Sequence, residues 1–93
     1  MVTVVVLSPA ARKDLRKCPQ HFVQKLMAWV GSVETAGLES TRTRPGWHDE
    51  PLRGKWQGHR SIRLSKAYRA IYTISEDGTV EFALVETVSK HKY

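Results

Sequence analysis

Cysteine is nearly missing from this 93-residue chain, and Cys18 stands alone. One thiol excludes an internal disulfide framework and a cysteine-rich zinc site, and it fits a reducing, cytoplasmic setting. Long apolar runs are missing too, and nothing approaches the ~20 residues of a membrane-spanning helix. The first residues lack the charged segment that opens a secretory signal. Acidic residues are scarce, with nine Asp and Glu against fifteen Lys and Arg, for a net charge of +6. Familiar catalytic fingerprints are also missing. Gly54-Lys55-Trp56-Gln57-Gly58 lacks the Gly-Lys-Ser/Thr ending of a phosphate loop, and no Gly-x-Ser-x-Gly elbow occurs. His48, His59 and His91 are not spaced i, i+4 and have no cysteine support, so no metal site and no cofactor is expected.

What is present is an ordinary globular mix, 41% hydrophobic and 26% charged, expected to form one domain over residues 1–93. The charge is unevenly spread. Residues 42–69 hold eight basic groups against Asp49 and Glu50, an excess equal to that of the whole chain. Trp47, Trp56, His48, His59 and Tyr68 are interleaved with them. Cations for phosphates and flat rings for unstacked bases are what a single-stranded nucleic acid requires. A solvated basic face is the plainer alternative.

Local patterns predict β-α-α-β-β-β. Val2–Leu7 is β-branched and apolar, a buried strand. Ser8-Pro9 places an N-cap before a first-turn proline, so a helix should run to about Lys17, with Ala11, Leu15 and Cys18 inward. Cys18 reads as a core thiol rather than a nucleophile. A second helix from Pro19 to about Ala36 carries the stripe Phe22, Val23, Leu26, Trp29, Val30 and Val33, with Gly37 placed to end it. Residues 38–58 are polar and punctuated by Gly and Pro, hence mostly loop. Ser61–Leu64 and Tyr68–Ile74 read as strands, Asp77-Gly78 as a turn, and Val80 to about Glu86 as the last strand. Thr87–Tyr93 reads as a polar tail. Helices first and hairpins last argue an α+β fold, two helices on one face of a small twisted, mainly antiparallel sheet. Alternation turns Tyr68, Ala70, Tyr72, Ile74, Ile62 and Leu64 toward the helices, and Ser61, Arg63, Arg69 and Ile71 toward the open face.

A metal-free ribonuclease needs a base for the 2′-OH proton, an acid for the leaving 5′ oxygen and a cation for the phosphorane. Glu50 is a carboxylate set among cations, Arg69 lies on the open face, and His91 and Tyr93 end the chain. Each has a plain structural alternative: a surface ion pair for Glu50, an idle sheet-face cation for Arg69, a frayed terminus for His91 and Tyr93.

Glu50-Pro51-Leu52-Arg53-Gly54, Gly58, Ile62-Arg63-Leu64, Tyr68-Arg69-Ala70-Ile71-Tyr72 and the ending Lys90-His91-Lys92-Tyr93 together resemble the RelE/YoeB/HigB/YafQ group of bacterial type II toxins. The likeness spans essentially the whole chain, element order included. It implies ribosome-dependent cleavage of mRNA in the decoding site, neutralised by a cognate antitoxin protein encoded nearby. It assigns Glu50 as general base and Arg69 as the transition-state arginine. It assigns His91 and Tyr93 as the acid and the substrate-positioning group, without fixing which is which. Lys92 separates the two, and in an extended tail that spacing turns both to one side. His48, Arg53, Lys55, Arg60, Arg63 and Lys92 are expected to contact RNA. Two other readings remain open at this point: a ParE-like gyrase poison and a non-catalytic RNA-binding module.

Overall fold

The computed structural model describes residues 2–87; His91, Lys92 and Tyr93 lie outside them. The described residues form an α+β fold of three helices and a five-stranded mixed sheet. The first strand, β1 (Val5–Leu7), leads into α1 (Pro9–Arg16). Ser8 caps α1: its hydroxyl accepts the Ala11 amide at 3.0 Å, and Pro9 fills the first turn. Helix α2 (Gln20–Ala36) ends at Gly37: its amide still donates to the Val33 carbonyl at 2.8 Å, and its φ of 89° then turns the chain out of the helix. The strand expected over Val2–Leu7 is shorter, because its partner begins only at Val80. Upstream, the Val2 carbonyl instead accepts the Leu38 amide.

Residues 38–58 are not mostly loop. They hold a short helix α3 (Leu38–Arg42), 3-10 turns at Pro45–Trp47 and Gly54–Trp56, and an edge strand β2 (Glu50–Pro51). β3 (Arg60–Arg63), β4 (Tyr68–Ile74) and β5 (Val80–Thr87) complete the sheet in the order β1-β5-β4-β3-β2. β1 runs parallel to β5, and the other pairs are antiparallel.

The core lies between the helices and one sheet face. Ala11, Leu26, Trp29 and Val33 meet Ile62, Ala70, Tyr72, Val80 and Phe82, all fully buried. Trp29 stands 5.1 Å from Tyr72 and 5.3 Å from Phe82, ring centre to ring centre, and these three are the largest fully buried side chains among the described residues. Cys18 is half-buried against this core, and burial together with Asp14 raises its thiol pKa.

A β-bulge decides which residues of β5 reach each face. Tyr72 pairs with Phe82 but Ile71 with Leu84, so Ala83 is the extra residue. Without the bulge Val85 would face outward opposite Arg69. With it, Val85 enters the core and Glu86 takes the outer position. Helix α1 serves the backbone of this bulged segment. Ser8 Oγ donates to the Ala83 carbonyl at 2.8 Å, and the Asp14 carboxylate accepts the Val85 amide at 3.0 Å. Asp14→Ala leaves that amide without its acceptor, which costs about 1–3 kcal/mol. For a chain of this size a drop in melting temperature of several degrees or more is expected in a thermal unfolding curve.

Candidate active site

The outer sheet face carries polar residues from four neighbouring strands, β2 to β5. Antiparallel partners share a face, so the pairs Glu50–Ser61, Ser61–Ile71, Arg63–Arg69 and Arg69–Glu86 place all of these residues on the side away from the helices. Of these, Glu50, Ser61, Arg63 and Arg69 line, together with His48 and Ile62, a cavity of about 90 Å³. Glu50 lies two strands from Arg69 and two residues along the sheet, roughly 12 Å between Cα positions at the usual strand spacing and rise. The two side chains can therefore converge on one phosphodiester between them.

Arg63 and Arg69 face each other directly across β3 and β4. Like charges at such positions repel, and nothing in the packing of an outer face requires them. Glu86 relieves part of the repulsion. Its carboxylate accepts Arg69 Nε at 2.7 Å and also takes one Nη. This fixes the guanidinium plane while both partners stay about one-third exposed. A guanidinium has five N–H donors, so one held along a single edge can still bind an oxyanion with the other.

His48 reaches the cavity from the 3-10 turn Pro45–Trp47. It is the one non-glycine residue with positive φ among those described (φ 49°, ψ 46°). Asp49, between His48 and Glu50, points the other way. Its side chain is wholly buried and accepts Arg60 Nε at 2.6 Å and the Tyr72 hydroxyl at 2.6 Å. Burial first, then this carboxylate, push the Tyr72 phenol pKa well above its ordinary value, so the hydroxyl stays a donor.

Of the residues picked from sequence, His48, Glu50, Arg63 and Arg69 are brought together. Arg53 and Lys55 are exposed around the turn after β2, outside the cavity lining. Arg60, expected to contact RNA, lies on the helix-facing side with Ile62, occupied by Asp49. The rings expected to stack on bases are largely committed to packing. Trp47 is half-buried under the Lys25 ammonium at 5.7 Å, Tyr68 packs on Phe22 at 4.9 Å, and Trp56 meets His59 at 5.1 Å. Large rings gain most by burial, and this sheet offers the space. Sequence reasoning missed Glu86 and Asp49. Among the described residues no group of three or more His, Cys, Asp or Glu could hold a metal ion, and no helix is long and apolar enough to cross a membrane.

The fold is that of the RelE superfamily of toxins from toxin–antitoxin systems. The chain superposes on a YoeB/ParE toxin from Agrobacterium tumefaciens with a TM-score of 0.70 and 18% identity, covering 92% of this chain and 99% of that one. YafQ from E. coli gives a TM-score of 0.65 and 20% identity, covering 89% and 90%. The RelBE2 toxin–antitoxin complex from Mycobacterium tuberculosis gives 0.58 and 27% identity, covering 95% and 100%. No family model and no curated protein matches the sequence.

Proposed function

We propose that the chain is the toxin of a type II toxin–antitoxin system, a single unit over residues 1–93 that acts in the cytoplasm as a metal-independent mRNA endoribonuclease on the ribosome. The observation that carries this reading is the Arg63–Arg69 pair, two cations held opposite each other beside Glu50 in one cavity. Such a pair suits a phosphodiester whose negative charge rises in the transition state. Glu50 takes the 2′-hydroxyl proton, and the 2′ oxygen attacks phosphorus. The bond from phosphorus to the 5′ oxygen breaks, and that oxygen is protonated by His91 or Tyr93. The products are a 2′,3′-cyclic phosphate and a 5′-hydroxyl end. Arg69 holds the phosphorane charge. Arg63, with His48, Arg53, Lys55 and Lys92, holds the flanking RNA.

The partner is a cognate antitoxin that lays an acidic or helical segment across the basic cavity. A structure of the complex in which the antitoxin touches only the helical side would refute this cover. The proposed activity is tested with programmed ribosomes by mapping mRNA 5′ ends. New 5′-hydroxyl ends are expected, with loss of activity when residues 91–93 are removed. Inhibition of gyrase supercoiling with intact mRNA would instead identify a gyrase poison. Salt-sensitive RNA binding without new ends would identify a binding module.

A further inference from the structure

The segment that carries Glu50 has little to hold it. β2 is two residues long, lies at the sheet edge, and pairs only with Arg60 and Ser61. Just before it, His48 sits in a left-handed conformation, which a non-glycine residue keeps only where its surroundings over-determine it. A catalytic carboxylate on so short an edge strand would swing with the loop, and misplacement by about 1 Å can cost 10²-fold in rate. The residue between them is the anchor. The Asp49 side chain has no exposed surface and takes donors from the two strands next inward. Arg60 comes from β3 and Tyr72 from β4, and these two are themselves register partners. Alternation along the chain then turns His48 and Glu50 together into the cavity on the opposite side.

We propose that Asp49 is a positioning residue: gripped by Arg60 and Tyr72 inside the fold, it holds the His48–Glu50 segment at the cavity, so that the Glu50 carboxylate is presented to RNA in one fixed place. The role of Glu50 rests on the endoribonuclease reading; the clamp itself does not. A buried carboxylate with two donors is costly to leave half-satisfied, so the three side chains stand or fall together. Tyr72 contributes its ring to the aromatic core and its hydroxyl to the clamp, which allows the two duties to be separated.

Two variants of the full-length chain test this, Asp49→Asn and the milder Tyr72→Phe, which keeps the ring against Trp29 and Phe82. Both should lower kcat for RNA cleavage about 10–100-fold with KM within about twofold. The double variant should be no slower than Asp49→Asn alone, because both changes break one device. Independently of catalysis, amide hydrogen exchange should accelerate at Leu52, whose N–H bonds the His59 carbonyl at 2.9 Å just beyond β2. The β4–β5 ladder should keep its protection. Unchanged exchange at Leu52 in both variants would overturn the proposal, as would acceleration spread equally over β4 and β5. So would wild-type kcat in a variant whose Leu52 amide has lost protection. If the unaltered protein cleaves no RNA, the endoribonuclease reading falls, and exchange at Leu52 still decides whether the clamp exists.

Discussion

Arg69→Ala should slow RNA cleavage about 10²–10³-fold, the loss typical of removing one fixed donor from a developing oxyanion. The reason lies in how the guanidinium is held. Glu86 takes Nε and one Nη, so the plane is set before substrate arrives and little reorganisation remains for the reaction. Arg69→Lys should recover little, because an ammonium cannot bind Glu86 along one edge and a phosphate along another. Glu86→Gln should cost less, about tenfold, since it loosens the arginine without removing it. Folding should be almost unaffected in all three, because an ion pair this exposed contributes about 0–1 kcal/mol. Single-turnover cleavage beside thermal melts makes the comparison. A rate for Arg69→Ala within about threefold of wild type would remove this residue from the chemistry.

Glu86 also shows where sequence reading stops. Ser8-Pro9, the α2 stripe and the Asp77-Gly78 turn are legible because their signals are local: a cap, a period of 3.6, a glycine at φ 87°. The face of Glu86 is not local. Phe82–Val85 is a continuous apolar run in which alternation has no phase, and simple counting from the turn would put Val85 opposite Arg69. The bulge that shifts the register is supported by Ser8 and Asp14, more than 70 residues earlier. Only the assembled fold brings those groups to the bulged strand.

Asp49 was hidden for a related reason. In sequence it is one of two adjacent acids in a basic stretch. Its burial depends on Arg60 and Tyr72 meeting across β3 and β4. β2 and α3 were hidden by length, because two and five residues are too few to show a period. The basic stretch was legible as charge but not as surface. Folding divides it, with Arg63 and Arg69 at the cavity, Arg60 on the other side, and most of its rings in packing. The cavity is thus narrower in chemistry than the +6 excess of residues 42–69 suggests. It holds two opposed arginines, one imidazole and one carboxylate.

That carboxylate supports the second large prediction. Glu50→Gln should lower kcat about 10²–10⁴-fold, the range for losing a general base, because the amide keeps the shape but cannot take the 2′ proton. Binding should not weaken with it. A carboxylate beside a phosphate repels it, so the neutral side chain should leave affinity for a non-cleavable 2′-deoxy oligonucleotide unchanged or raise it. Rate and affinity then move independently, or in opposite directions. A surface ion pair predicts otherwise: losing a partner would free a cation and tighten binding with no loss of rate. Arg63→Ala gives the contrast from across the cavity. It should weaken binding of the same oligonucleotide and reduce the salt dependence by about one unit of slope, since it holds a phosphate. Equal losses of affinity in Glu50→Gln and Arg63→Ala would make Glu50 a structural support of the cavity. Lost turnover with retained binding in Glu50→Gln alone identifies the group that starts the reaction.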